Sequence, residues 1–182
     1  MIPLAGKDIK LRAVEPADLN LLYDWENDPE NWIVSNTTAP FSRHVLQKYI
    51  ESAQHDIYEA RQLRLMIDRL ALPEREEETI GIIDLFDFDP LHRRAGIGIL
   101  IARQEDRMKG IASEALGILI DYAFGSLQLH QLYCNVSEDN PASLKLFEKF
   151  NFLKIGVKRD WVRKENEWVN VQLLQLINPQ DS

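Results

Sequence analysis

Eight residues, Ala95-Gly96-Ile97-Gly98-Ile99-Leu100-Ile101-Ala102, form an apolar run that reads as a buried strand. Shortly after come Arg107-Met108-Lys109-Gly110-Ile111-Ala112 and Ser113-Glu114-Ala115-Leu116, and residues 115–124 carry a long apolar helix pattern. The chain therefore runs from a strand, through a basic loop with one glycine, into a helix. The first amides of a helix lack intrahelical acceptors and sit at the positive end of its dipole, so this junction suits a phosphate. Gly110 lets backbone approach an anion closely, and Arg107 and Lys109 add charge.

The loop lacks the second glycine and the Gly-Lys-Ser/Thr ending of a Walker A loop, and the Gly-x-Gly-x-x-Gly of a dinucleotide fingerprint. Gly96-x-Gly98 lies inside the strand run rather than after it. What remains is Arg107-x-x-Gly110-x-Ala112.

A chain of 182 residues, 45% hydrophobic, suits a single domain over 1–182 with a sizeable core. No run approaches the roughly 20 apolar residues of a membrane span, so no membrane partner is expected. Residues 1–12 hold no signal-peptide h-region, and Cys134, the only cysteine, has no internal disulfide partner. A soluble cytoplasmic protein is the expectation. The net charge of −8 speaks against nucleic acid as a partner; it fits plain solubility and also a cationic substrate drawn in by a negative field.

Ile9, Leu11 and Ala13 alternate with Lys10 and Arg12 as a first strand. Leu19, Leu22, Tyr23 and Glu26 fall at helical spacing within 16–27, stopping at Asp28-Pro29. Ser42 caps a second helix with Val45, Leu46, Tyr49 and Ile50 on one face. Leu63, Leu65 and Ile67 alternate as a strand, and residues 72–78, with Pro73 and four glutamates, read as an exposed hairpin loop. Strands follow at 79–88 and 94–102, then the loop and its helix, a short strand at 131–136, and a helix opened by Asn140 and Pro141 that runs to about 150. Residues 152–157 and 169–177 are the last strands. The order is β-α-α-β-β-β-α-β-α-β-β, an α/β (α+β) chain with a mixed sheet and helices on both faces.

Arg107-x-x-Gly110-x-Ala112 between strand and helix resembles the acetyl-coenzyme A pyrophosphate loop of the GNAT N-acetyltransferases. Asn140-Pro141-Ala142-Ser143, followed by Leu146-Phe147-Glu148-Lys149-Phe150-Asn151-Phe152, resembles that family's Asn-x-x-Ser/Ala … Leu-Tyr-Glu-Lys-x-Gly-Phe segment. The element order is similar too, so the resemblance covers nearly the whole chain. His92-Arg93-Arg94-Ala95 and Leu11-Arg12-Ala13 look like the branch of spermidine/diamine and ribosomal-protein N-terminal acetyltransferases.

The resemblance implies a GNAT fold, a mostly antiparallel sheet of about seven strands, and acetyl-coenzyme A as cosubstrate. It implies direct attack by an acceptor amine in a ternary complex, the acceptor being a polyamine, a ribosomal-protein N-terminus or another small amine. Pantetheine would lie where the strand 97–102 splays from the strand 131–136, paired with backbone of Leu100 and Ile101. A backbone NH near Ile99 would polarise the acetyl carbonyl. Arg107, Met108, Lys109, Gly110, Ile111, Ala112 and Ser113 would hold the pyrophosphate, with Asn140, Ser143 and Phe147 completing the cosubstrate site. Asn140 serves equally as a helix N-cap. Gly96 and Gly98 fit either a close backbone approach or plain core packing.

Direct attack needs a neutral amine. An alkylamine of pKa about 10.4 is neutral about once in a few thousand molecules at pH 7, a cost of roughly 4–5 kcal/mol, against about 1.4 kcal/mol for an α-amine. Asp84 and Asp87, in the otherwise apolar strand 80–88, are candidate proton acceptors; alternation puts them on opposite faces, and each is also compatible with a strand-end position in water. The family often protonates the leaving thiolate with a Tyr in the Leu-Tyr-Glu-Lys segment. Phe147 stands there in this chain and has no proton to give; Ser137, Tyr133 or Cys134 are substitutes. A thiol pKa near 8.5 also tolerates unassisted departure. Trp25, Trp32, Trp161 and Trp168 either line the acceptor groove, with Glu26 and Asp28 supplying negative charge, or form core or dimer contacts; a homodimer or higher homo-oligomer is expected. His44, His55, His92 and His130 show no metal-ligand spacing, so no metal is expected.

Overall fold

The computed structural model describes residues 3–35, 37, 39–53 and 55–181. Its strands are β1 (Ile9–Ala13), β2 (Leu63–Arg69), β3 (Glu78–Asp89), β4 (Arg94–Ile101), β5 (Gln131–Ser137), β6 (Leu153–Lys164) and β7 (Glu167–Ile177). Its helices are α1 (Leu19–Glu26), α2 (Pro29–Ser35), α3 (Arg43–Ser52), α4 (Ile57–Ala60), α5 (Ile111–Gly125) and α6 (Pro141–Lys149). The strands form one seven-stranded sheet in the order β1-β2-β3-β4-β5-β7-β6. Each neighbouring pair is antiparallel except β4–β5, which is parallel.

The expected elements are present, with three departures, the first being the short helix α4, capped by Asp56. The chain does not stop being helical at Pro29: proline suits the first turn of a helix, and Asp28 Oδ1 accepts from Glu30 N at 2.9 Å, so α2 starts there. β6 extends to Lys164, well past residue 157. Register shifts at Lys154/Gly156 and Lys158/Val162 break its two-residue alternation, which hides its length in the sequence. The caps hold: Val45 N donates to Ser42 Oγ at 3.2 Å, and Ser143 N to Asn140 Oδ1 at 3.1 Å.

On one face of the sheet α5 and α6 bury Ala115, Leu116, Leu119 and Phe147 against Ile83, Leu85, Ile97, Leu132 and Cys134. Truncating Leu116 or Leu119 to Ala would cost about 2–5 kcal/mol. On the other face α1 and α3 set Leu22 and Ile50 on Met66 of β2 and Ile82 of β3. That second cover ends near β4. Tyr133, Asn135, Leu173 and Gln175, on the same face of β5 and β7, line an open cavity instead. Among the described residues no helix is long and apolar enough to cross a membrane.

Candidate active site

The β4–β5 ladder has three pairs, Arg94↔Gln131, Ala95↔Leu132 and Gly96↔Tyr133. Beyond Gly96 the strands part. β4 stays with β3 as far as Ile101, which pairs with Gly81, and β5 stays with β7 as far as Ser137, which pairs with Val171. The wedge between them opens into a cleft of about 450 Å³. Ile99, Leu100 and Ile101 form one wall, the loop residues Arg107, Met108, Gly110, Ala112 and Ser113 the end, and Asn140, Ala142, Ser143, Lys145 and Leu146 the other wall.

Gly110 is the N-cap of α5 with φ +83°, and a Cβ built on it would meet nothing within 4 Å. The space before the helix amides is therefore open, which fits a pyrophosphate there. Lys109 is exposed, 3.9 Å from Asp106, and Lys149 Nζ donates to Ser113 Oγ at 2.7 Å. Arg107 lines the cleft and also braces it. Its Nε donates to Ile101 O at 3.0 Å and its Nη2 to Ala102 O at 3.3 Å and Asn31 Oδ1 at 3.4 Å, so the guanidinium ties the end of β4 to the loop. Lys145 is a cation on the cleft wall that the sequence did not signal, because a helix-surface lysine carries no motif.

Two expected cosubstrate contacts point into the core. Ile111 is 7% exposed, and Phe147 is 3% exposed with its ring 5.1 Å from that of Phe152. On α6 it is Ser143 and Leu146 that face the cleft. Ser137 ends β5, and its Oγ is buried without a hydrogen-bond partner among the described residues. Cys134 is buried, which pushes its thiol pKa well up and keeps it protonated. Gly96 is a packing glycine, since a Cβ there would come within 2.3 Å of the Phe86 ring; Gly98 has room, with Asp84 at 3.9 Å.

Asp84 lies opposite Gly98, beside the wedge, but its carboxylate is engaged. Oδ1 accepts from Arg64 Nε at 2.8 Å and Oδ2 from Nη2 at 2.9 Å, while Nη1 reaches Glu26 Oε1 at 2.7 Å. Two carboxylates on one guanidinium leave one net negative charge. The ring of Tyr49 covers Arg64 at 5.1 Å, and burial, opposed by Arg64 and aided by Asp84 and Glu26, lifts the Tyr49 pKa to about 12. Asp87 does not face away from Asp84 as alternation predicted. A register shift between Phe86 and Asp89 and a φ of +49° swing it round, and its Oδ2 accepts from Tyr133 Oη at 3.0 Å. Burial, then this hydrogen bond, raises the Tyr133 pKa to about 12.

Of the expected acceptor residues, Trp25 packs on the Leu22–Ile50 cluster, Glu26 holds Arg64, and Asp28 caps α2. Trp32 alone of the four lines a groove, of about 1220 Å³, shared with Trp161, Asp139, Lys164, Glu165 and Glu167. Trp32 is fixed there by its Nε1 donating to Glu26 O at 2.6 Å. Asp139, beside the cleft residue Asn140, brings groove and cleft together. Glu165, in the turn after β6, and Glu167, at the start of β7, carried no recognisable signal. Among the described residues no group of three or more His, Cys, Asp or Glu side chains is placed to hold a metal.

The parted parallel strand pair, the glycine loop and the helix start match the arrangement that the resemblance to the GNAT N-acetyltransferases implies. Residues 8–153 match the family described as the acetyltransferase (GNAT) domain, and the chain belongs to that family. It is 30% identical over 187 residues to an uncharacterized N-acetyltransferase, p20, of Bacillus licheniformis, covering 97% of each chain. It is 28% identical over 152 residues to the spermidine N(1)-acetyltransferase of Vibrio cholerae, covering 83% of this chain and 82% of the relative. In fold it is similar to the crystal structure of the Vibrio cholerae spermidine N-acetyltransferase in complex with CoA and spermine, with a TM-score of 0.83, 22% identity, and 94% and 96% of the two chains covered.

Proposed function

We propose that this GNAT N-acetyltransferase transfers acetyl from acetyl-coenzyme A to a primary amine by direct attack in a ternary complex, with a polyamine such as spermidine as acceptor. The observation that carries the reading is the parting of β4 from β5 after Gly96, with the open Gly110 loop at its end. The polyamine is supported by the relatives named for spermidine and by the groove, where Trp32 and Trp161 stand with Glu165 and Glu167; Asp139 is paired there with Lys164, and Arg163 also lines it.

Bound in the cleft, acetyl-coenzyme A supplies an activated thioester. The free edge of β4 at Ile99, Leu100 and Ile101 offers backbone groups to it, and an amide near Ile99 stabilises the developing oxyanion. The α5 amides, Ser113, Lys109 and Lys145 hold negative charge at the other end. The Glu26–Arg64–Asp84 cluster keeps a net negative charge beside Gly98 that favours an ammonium nearby. Because Arg64 occupies both Asp84 oxygens, the ammonium proton passes to water, with Asp84 acting through its charge. Phe147 donates no proton, so the thiolate leaves unassisted or through water. A cytoplasmic location and a homodimer go with this reading.

Burial of Phe147 favours a second reading, a coenzyme A-binding GNAT relative without turnover. Release of free coenzyme A thiol, followed with spermidine, spermine, an amino acid and a peptide with a free N-terminus, tests both. Turnover with spermidine above the acceptor-free rate is the expected result. A preference for the peptide would make the acceptor an N-terminal α-amine, and no release with any amine would leave the non-catalytic reading.

A further inference from the structure

On the sheet face opposite α5 and α6, a cavity of about 830 Å³ lies on the paired side of Gly96, away from the cosubstrate cleft; on its other side Lys158 Nζ stands 5.0 Å over the ring of Trp161. Its apolar floor is Ile155 and Leu173. Around that floor stand three cations, Arg61, Arg94 and Lys158, against two carboxylates, Asp87 and Asp89. Both carboxylates are occupied: Asp89 takes Arg94 Nη2 at 3.2 Å and His92 N at 3.0 Å, and Asp87 takes the Tyr133 hydroxyl at 3.0 Å. The cations keep spare donors. Lys158 Nζ gives one bond to Asn135 Oδ1 at 2.8 Å, and Arg61 makes a long one of 3.4 Å to Phe88 O. A local positive excess stands out on a chain of net charge −8.

The rim is also strained. Arg61 has φ +56° and Asp87 φ +49°, neither of them glycine, and Phe88 N donating to Arg61 O at 3.0 Å locks the two segments together. Backbone held in such regions clusters at binding sites, at about 1–3 kcal/mol per residue. The volume is that of a small-molecule site.

We infer that this cavity is a second ligand site, taking a small molecule with an apolar body and a carboxylate. The body covers Ile155 and Leu173, and the carboxylate meets Arg61, Arg94 and Lys158. The site does not depend on the identity of the acetyl acceptor.

Calorimetry on the full chain saturated with coenzyme A tests it, with 3-phenylpropionate and 3-phenylpropylamine as probes of one body and opposite charge. Phenylpropionate should bind below about 10 mM and weaken as sodium chloride rises. The Arg94→Gln/Lys158→Gln chain should lose at least about tenfold of that affinity while keeping its circular dichroism and its coenzyme A affinity, since neither residue lines the cosubstrate cleft. Asp87→Asn should tighten it. Absence of phenylpropionate binding, indifference to salt, or equal affinity in the double variant would each overturn the site. So would phenylpropylamine binding that is lost in the same variant.

Discussion

Asp84 gives both carboxylate oxygens to Arg64, at 2.8 Å and 2.9 Å, in a side-on fork. A carboxylate so held is a poor collector of a substrate proton, because protonating it breaks a charge-assisted pair in a partly dry place. Asp84→Asn should therefore slow spermidine and a peptide α-amine by similar factors. It should also cost roughly 3 kcal/mol of stability, since Arg64 is left with Glu26 alone. Urea titration and rates on both amines across pH check this. A loss confined to the amine of higher pKa, shrinking as pH rises, would instead make Asp84 the proton acceptor.

Gly110→Val should weaken acetyl-coenzyme A binding at least about tenfold, by about 1.4 kcal/mol or more. Two causes add: a β-branched residue is strained at φ +83°, and its side chain enters the space before the α5 amides. Calorimetry measures it, and unchanged affinity would remove the phosphate assignment.

Phe147→Tyr should leave turnover unchanged. The ring is buried against Phe152, so the new hydroxyl lies in the core and lowers stability by about 1–3 kcal/mol. That corresponds to a fall in Tm of very roughly 2–12 °C for a chain of this size. A gain in turnover would show the hydroxyl reaching the cleft.

Asp18 sets an acid limit. Burial raises its pKa, but the Arg12 fork at 2.7 Å and 2.9 Å and the Glu15 amide at 2.8 Å outweigh that, and the net shift is downward. A carboxyl depressed in the folded state contributes stability above its unfolded pKa of about 3.9 and loses it as pH falls through the lower folded value. Denaturation midpoints should drop across that acid window, and Asp18→Asn should flatten the drop while lowering stability at neutral pH.

The sequence made the order of elements legible because hydrophobic period, Ser42, Asn140 and Gly110 each speak locally. The splay and the cleft were implied only by the resemblance to the GNAT N-acetyltransferases, which the strand–loop–helix junction carries. Other features depend on contacts far along the chain. Arg107 turns inward because the β4 carbonyls of Ile101 and Ala102 need donors. Asp87 faces Tyr133 through a register shift, and Asp84 is claimed by an arginine twenty residues earlier. Periodicity sees none of these, and it sees neither the inward turn of Phe147 nor the approach of Glu165 and Glu167 to Trp32.

The three-rung seam between β4 and β5 makes the fold answer to metabolism. Two half-sheets meet there over few backbone bonds, and a molecule wedged in the gap bridges them from both sides. By mass action a ligand at a hundred times its Kd adds about 2.7 kcal/mol to the folded state. A cell short of acetyl-coenzyme A and coenzyme A would then hold a looser, more protease-sensitive pool of this protein. Its abundance would track the total coenzyme A pool, while its rate tracks the acetylated share.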